Sequence, residues 1–321
     1  MLYLIGTDEA GYGPNLGPLV ISATVWLAPD ACRDADWYEL LSGVVSRHGR
    51  PQRRPSQVPI ADSKSLYKPG GTLQNLECGV LTALRAIGLR PAHWREAWAA
   101  LAPQNSADVD RDPWYRDFEL AWPLAHDSDS LDRLAETFLQ GLQQASVRLL
   151  AMRSVVVSPE QFNGRLDRLG NKATVLSTVT MELIKAVLPP ADGQAVLVVC
   201  DKHGGRQRYA DLLQATFPDY LVEIFGESPA RSVYRWGPAT RRVEFRFLEK
   251  AERFLPVALA SMMSKYLREL AMLAWNAFWQ RQVPGLRATA GYPQDAVRFK
   301  KEIEGCQQGL GIPDARVWRN R

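Results

Sequence analysis

The sequence predicts an α/β fold in which a mixed central β-sheet is flanked by helices. Ala195 to Cys200 is apolar throughout, which predicts a strand buried on both faces in the middle of a sheet. Leu2 to Ile5 and Leu19 to Trp26 predict two further strands, joined by a turn rich in glycine. Pro256 to Trp279 is apolar nearly all round, which predicts a long helix buried against this sheet.

The composition excludes several classes of protein. Apolar residues make up 46% of the 321 residues, enough for a substantial core. No stretch approaches the eighteen or so apolar residues that span a membrane, and the apolar start is too short for a secretory signal. The four cysteines have neither metal-binding nor disulfide spacing. We therefore expect a reduced, cytoplasmic protein, mildly basic with a formal net charge of +4.

Two carboxylates, Asp8 and Glu9, stand directly after the first predicted strand and before a run of glycines and prolines. Because neighbouring strand residues point to opposite faces, the two side chains converge only if the strand ends there and the chain bends. Paired carboxylates beside a glycine turn with bare backbone amides indicate a site for a hard cation. From these residues alone, a strand end capped by a polar turn explains the stretch equally well.

Further polar residues stand at positions where a site could form. Asp201 ends the central apolar strand, where open α/β sheets place their ligands. His203 follows it, and we expect a solvent-facing loop histidine there in preference to a proton carrier. On the long helix, Ser261, Lys265 and Glu269 are spaced i, i+4 and i+8 and share one stripe, which must face water or a polar site.

The order of these residues resembles a known family. Gly6 to Pro14, read as Gly-Thr-Asp-Glu-Ala-Gly-Tyr-Gly-Pro and followed by Gly17-Pro18, closely resembles the opening motif of ribonuclease HII, the type 2 ribonucleases H. That family has arginine where this chain has Tyr12. Asp62-Ser63-Lys64 is similar to the aspartate-serine-lysine segment that follows the family's second strand.

The long helix carries the second extended match. Ser261 to Glu269 resembles the family's alanine-serine-(x)2-alanine-lysine-(x)2-arginine-aspartate helix, with Ser264 in place of the second alanine and Glu269 in place of the aspartate. Gly291-Tyr292 resembles a glycine-tyrosine pair further on in the family. The resemblance implies a ribonuclease H-like fold in a single catalytic domain over residues 1–321, with insertions near 28–58 and 90–130.

The resemblance also implies roles for particular residues. The catalytic and metal-binding carboxylates would be Asp8, Glu9, Asp201 and Glu269, holding Mg²⁺ or Mn²⁺. The substrate-binding residues would be Gly11, Tyr12, Gly13, Lys64, Lys265 and Tyr292. Unneutralised, four carboxylates in one place repel one another and raise their own pKa values, which a hard cation relieves. Carboxylates scattered over the surface are the alternative to such a site.

The expected activity is metal-dependent endonucleolytic cleavage of the RNA strand of RNA–DNA hybrids, or of ribonucleotides embedded in duplex DNA. Two alternatives stay open, because Tyr12 and Glu269 depart from the family pattern. One is a ribonuclease H-fold nuclease that acts on another nucleic acid, and the other is a non-catalytic, duplex-binding relative. The tryptophans between residues 90 and 130 could stack on bases, but we expect them to pack this insertion onto the body of the protein. The sequence predicts no membrane partner and leaves protein partners unknown.

Overall fold

The computed structural model describes residues 1–49, 52–68, 70–238 and 241–320. The strands are β1 (Leu2–Ala10), β2 (Leu19–Ala28), β3 (Val45–Ser46), β4 (Val58–Pro59), β5 (Arg148–Val157), β6 (Ala195–Asp201), β7 (Glu223–Glu227), β8 (Arg231–Trp236) and β9 (Val243–Leu248). The helices are α1 (Trp37–Leu40), α2 (Ser63–Leu66), α3 (Gln74–Ala86), α4 (Trp94–Leu101), α5 (Asp108–Arg111), α6 (Pro113–Arg116), α7 (Ser128–Gln144), α8 (Pro159–Leu169), α9 (Lys172–Val187), α10 (Ala210–Thr216), α11 (Leu255–Gln282), α12 (Pro293–Gly309) and α13 (Asp314–Val317). Short 3-10 turns lie at Asp30–Arg33, Pro103–Asn105 and Ala251–Arg253.

Seven of these strands form one mixed sheet in the order β5-β2-β1-β6-β9-β8-β7. β1 pairs antiparallel with β2, and β2 pairs antiparallel with β5. On its other side β1 pairs parallel with β6, and β6 pairs parallel with β9. β9, β8 and β7 then form an antiparallel meander. The predicted α/β architecture, a mixed central sheet flanked by helices, is confirmed.

Each face of the sheet has its own apolar core, so β1 and β6 are buried on both sides. α11 covers one face and packs most closely on β1. Gly6 permits this approach, because a Cβ at that position would lie 2.3 Å from the backbone carbonyl carbon of Pro256. The close contact brings Ser261, the first residue of the polar stripe of α11, against the Asp8 carboxyl of β1.

Two boundaries differ from the sequence prediction. β1 continues through Asp8 and Glu9 to Ala10, because β2 pairs with it along this whole length, so the expected strand end before the carboxylates is wrong. The amphipathic pattern of Leu131 to Leu150 predicts one helix over that range, but α7 stops at Gln144, because the chain from Arg148 onward pairs with β2 as an edge strand.

The second insertion packs onto the body of the protein, as expected. Trp94, Trp98 and Trp114 are at most 2% exposed, so these three rings are not available to stack on bases. The Trp114 ring meets the ring of Trp275 on α11 edge to face, with centroids 4.5 Å apart. Residues 50 and 51 of the first insertion lie outside the described residues. No helix in the described ranges is long and apolar enough to cross a membrane.

Candidate active site

Three of the expected carboxylates stand at the carboxyl ends of two neighbouring strands. In the parallel pair of β1 and β6, Thr7 lies opposite Cys200. Asp8 and Asp201 are the next residues of the two strands, and Glu9 follows Asp8 on the opposite face of β1. The sheet topology therefore brings residues from distant parts of the chain to one edge, where open α/β sheets place ligands.

The three carboxyl groups disturb one another's ionisation. Burial raises the pKa of Asp8 to about 7, and the charge of Asp201 adds to this, while a hydrogen bond from Ser261 opposes it. Burial, followed by the charges of Asp8 and Asp201, raises the pKa of Glu9 well above its usual value. Burial also raises the pKa of Asp201. Binding of a proton or a cation stabilises a cluster of carboxyl groups of this kind.

Lys64 provides the cationic group of this cluster. Burial lowers the pKa of its ammonium, but the charges of Asp62, Asp8, Glu252 and Asp201 outweigh that effect and raise it. Lys64 is held in α2, where the Asp62 side chain accepts a hydrogen bond from the Lys64 backbone N–H at 3.1 Å. The structure thus places Lys64 within reach of the charges of Asp8 and Asp201, while its role in substrate binding stays a prediction.

Two serines of α11 fasten the helix to this edge of the sheet. The Ser261 and Ser63 hydroxyl oxygens lie 3.1 Å apart, and the Ser264 hydroxyl lies 3.0 Å from the Asp8 carbonyl oxygen. The same Ser264 hydroxyl lies 2.8 Å from that of Ser22 on β2. The predicted polar stripe therefore begins at the carboxylates, and Ser264, where the family has alanine, adds a link between helix and strand.

Glu269 lies two helical turns beyond Ser261, about 12 Å along the axis. One of its carboxylate oxygens accepts a hydrogen bond from the Tyr67 hydroxyl at 2.8 Å, and the other pairs with the Lys265 ammonium at 2.5 Å. The Lys265 ammonium also lies 4.9 Å from the centre of the Tyr67 ring. Sequence reasoning missed Tyr67, although it follows the Asp62-Ser63-Lys64 segment closely. The role of Glu269 as a fourth metal ligand stays a prediction, and so does substrate binding by Lys265.

The glycine turn adjoins the carboxylates. Gly11 has a φ of +90°, and a Cβ there would lie 2.6 Å from the Pro18 carbonyl oxygen, so glycine is needed for both shape and space. The Tyr12 ring lies 4.8 Å from the Lys172 ammonium, and its hydroxyl lies against Gly204 in the loop after Asp201. Tyr12 is therefore packed between the two strand ends.

The loop that carries Tyr292 is tied to the same turn. The backbone N–H groups of Asn15 and Leu16 donate to the Gly291 carbonyl oxygen at 2.8 and 3.3 Å. The buried Arg268 side chain of α11 donates to the carbonyl oxygens of Leu16 and Ala290, both at 3.1 Å. The Tyr292 side chain is 51% exposed, so its ring is open to a ligand beside the turn.

The C-terminal tail also reaches the turn, which the sequence gave no reason to expect. The Arg319 guanidinium donates to the Gly11 carbonyl oxygen at 2.5 Å and to that of Pro14. Backbone pairing of Leu16 with Trp318 continues this contact. No sequence motif identifies Arg319, because its hydrogen-bond partners are backbone carbonyl groups, which every residue has.

His203 is a correction to the sequence prediction. It is 2% exposed, against the expected solvent-facing position. Its Nδ1 lies 3.0 Å from the Ser177 hydroxyl, and its ring packs on Tyr209 and Phe247. Burial lowers the pKa of His203 to about 3, so the ring is neutral and belongs to the core.

The donor set suits a hard cation, because it consists of carboxylate oxygens whose mutual repulsion a cation relieves. Within the described residues, however, no group of three or more His, Cys, Asp or Glu side chains is already arranged to hold a metal ion. Ion binding at Asp8, Glu9 and Asp201 therefore requires these side chains to turn toward one another from their present positions.

No protein-family model and no curated protein matches the chain. Among solved structures it is similar to the RNase HII of Archaeoglobus fulgidus in a PCNA complex, at 18% identity over 100% of this chain and 95% of that one, with a TM-score of 0.45. It is similar to ribonuclease H2 from Pyrococcus horikoshii OT3 at 16% identity, over 98% and 92% of the two chains, with a TM-score of 0.48. It is also similar to Bst-RNase HIII in complex with Mn²⁺, at 14% identity over 99% and 66%, with a TM-score of 0.40. These structures are matched over 98–100% of this chain at 14–18% identity, and the function is therefore inferred from the residues of the site.

Proposed function

We propose that the chain is a metal-dependent endonuclease that cleaves the RNA strand of RNA–DNA hybrids, or ribonucleotides embedded in duplex DNA. The observation that supports this proposal is the position of Asp8 and Asp201 at the adjoining carboxyl ends of β1 and β6, with Glu9 next along β1, where their charges and that of Lys64 act on one another. Raised pKa values in a carboxylate cluster at a sheet edge are typical of a catalytic site.

The carboxylates would hold Mg²⁺ or Mn²⁺, and the bound ion would activate water and stabilise the leaving oxygen of a phosphodiester. Asp8 is the central residue, because the hydroxyl of Ser261 and the charges of Lys64 and Asp201 all act on it. Lys64 would contact the substrate backbone as a point charge. His203 takes no part in proton transfer, because it is buried and neutral.

The substrate class rests on the residues beside the cluster. The 2′-hydroxyl distinguishes RNA from DNA at a single position. Gly11 and Gly13 leave the backbone of the turn free of side chains, so its amide groups can approach a ribose closely. The exposed ring of Tyr292, held next to this turn through Gly291, would stack on the neighbouring sugar.

Four duplexes test the proposal: one with a single embedded ribonucleotide, a continuous RNA–DNA hybrid, an all-DNA duplex and an all-RNA duplex. Each is incubated with Mg²⁺, with Mn²⁺ or with excess chelator. We expect cleavage of the first two duplexes with metal, and cleavage of the all-DNA and all-RNA duplexes that is measurable but at least about a hundredfold slower. Asp8→Asn should abolish cleavage and keep duplex binding, while Asp167→Asn, at an exposed position of α8, serves as the matched control. Equal cleavage of all-DNA duplex, or full activity in chelator, would contradict the proposal.

A further inference from the structure

The C-terminal tail is hydrogen-bonded to the glycine turn. The backbone N–H of Arg319 donates to the Asn15 carbonyl oxygen at 2.8 Å, and the Asn15 side chain donates back to the Arg319 carbonyl oxygen at 3.0 Å. Asn163 of α8 holds the tail from the other side, since its amide donates to the Trp318 carbonyl oxygen and accepts from the Asn320 N–H, both at 2.8 Å. The tail is therefore fixed to the body of the protein and to the turn.

The Arg319 side chain is 2% exposed, so its guanidinium does not reach a substrate on the surface. Its Nη2 instead donates to the carbonyl oxygens of Gly11 and Pro14, at the two sides of Tyr12-Gly13. The guanidinium also lies 4.9 Å from the Phe162 ring of α8, which fixes its plane. One buried cation thus holds two carbonyl groups of the turn toward the interior.

This arrangement determines where the amide groups of the turn point. In a planar trans peptide the C=O and the following N–H point in opposite directions. Because Arg319 holds the Gly11 carbonyl on the buried side, the Tyr12 N–H is directed away from the buried guanidinium. Because it draws the Pro14 carbonyl inward, the Asn15 N–H is directed to the Gly291 carbonyl oxygen, beside Tyr292.

We infer that Arg319 is a positioning residue for ribonucleotide recognition: it orients the turn amide at Tyr12 and, through Asn15, the loop that carries Tyr292. This inference rests on the proposed function, because it assigns to Arg319 the alignment of the same substrate-binding turn. Arg319 acts through the turn and touches neither the substrate nor the carboxylates. Its loss therefore weakens recognition of the ribonucleotide and leaves the chemical step largely intact.

The test compares steady-state kinetics of the parent, Arg319→Met and Arg319→Lys on the duplex with one ribonucleotide. For Arg319→Met we expect KM to rise about tenfold with kcat within about twofold, and the preference for this duplex over all-DNA duplex to fall about tenfold. Arg319→Lys keeps a buried donor and should recover part of the preference. Arg316→Ala removes a neighbouring arginine whose Nε faces Glu160 at 3.6 Å, and should behave as the parent.

A purely structural role predicts a lower melting temperature with unchanged KM and preference in the fraction that is folded, and that result would overturn the inference. If Arg319→Met does not fold, the Asn163→Ala variant tests the inference instead, because it loosens the tail without removing the guanidinium. We expect it to show the same loss of preference in weaker form, and full preference in a folded Asn163→Ala protein would also overturn the inference. Absence of cleavage by the parent itself would instead count against the proposed function.

Discussion

Replacing Asp8 by asparagine should make the metal-free protein more stable at pH 8 while abolishing cleavage. The folded protein raises the pKa of the Asp8 carboxyl from its usual 3.8 to about 7. The folded state therefore binds this proton more tightly than the unfolded state. Between the two pKa values the folded state holds more protons, so stability falls as pH rises through that window.

The size of the effect follows from the shift. A difference of about three pKa units corresponds to at most about 4 kcal/mol of lost stability above pH 7. Glu9 and Asp201 belong to the same group of mutually repelling carboxyl groups, so a proton bound by either of them relieves part of the repulsion on Asp8. We therefore expect Asp8→Asn to gain about half of that upper limit, on the order of 2 kcal/mol, which is a rise in melting temperature of about 4 °C for a chain of this size.

The assay is thermal unfolding from pH 5 to pH 8, in chelator and then with added Mg²⁺ or Mn²⁺. In chelator the melting temperature of the parent should fall toward pH 8, and that of Asp8→Asn should fall less. Metal at about one hundred times its Kd should stabilise the parent by about 2.7 kcal/mol and the variant by much less. The reasoning is refuted if Asp8→Asn is the less stable protein at pH 8 without metal, or if metal stabilises both proteins equally.

Substitutions at four further positions test other parts of the structure. Glu269→Gln should slow cleavage about tenfold or more, while Glu269→Asp keeps part of the rate, and two variants as fast as the parent would make Glu269 only a partner of Lys265 and Tyr67. Tyr12→Arg should tighten duplex binding in fluorescence anisotropy and steepen its salt dependence without moving the cleavage site, since arginine adds a phosphate contact. Tyr292→Ala should reduce the preference for a DNA–RNA junction over a continuous hybrid, and an unchanged ratio of the two rates would exclude stacking there. Gly6→Ala should destabilise the protein by about 2 kcal/mol or more in denaturant unfolding, because its Cβ would lie 2.3 Å from the Pro256 backbone, and an unchanged midpoint would show that α11 can move away.

The sequence predicted the parts of the fold that depend on local pattern. Three elements could be predicted from residues that are neighbours in the sequence. These are β6, from its apolar run, α11, from its hydrophobic residues, and the glycine turn. The length of β1 could not be predicted in this way, because its polar end is held by pairing with β2 rather than by its own residues.

The same distinction, between local sequence pattern and contacts with distant residues, applies to the candidate site. The motifs placed Asp8, Glu9, Asp201 and Lys64 in one site, and in the structure their charges act on one another, while their roles stay predictions. The burial of His203 and the reach of Arg319 depend on which distant elements pack against them. Such contacts cannot be predicted from the residues that flank His203 or Arg319 in the sequence, and only the folded structure shows them.

The parallel pairing of β1 with β6 has a consequence for folding. Thr7 and Cys200 lie opposite each other although about 190 positions of the chain separate them. Closing a loop of that length costs about 5 kcal/mol of chain entropy, and such distant pairs form late in folding. An early intermediate built on the antiparallel strands β1 and β2 would carry Asp8 and Glu9 without Asp201. The complete carboxylate set therefore forms only when the two halves of the sheet join, so we expect added Mg²⁺ or Mn²⁺ to slow unfolding and to leave the early steps of folding unchanged.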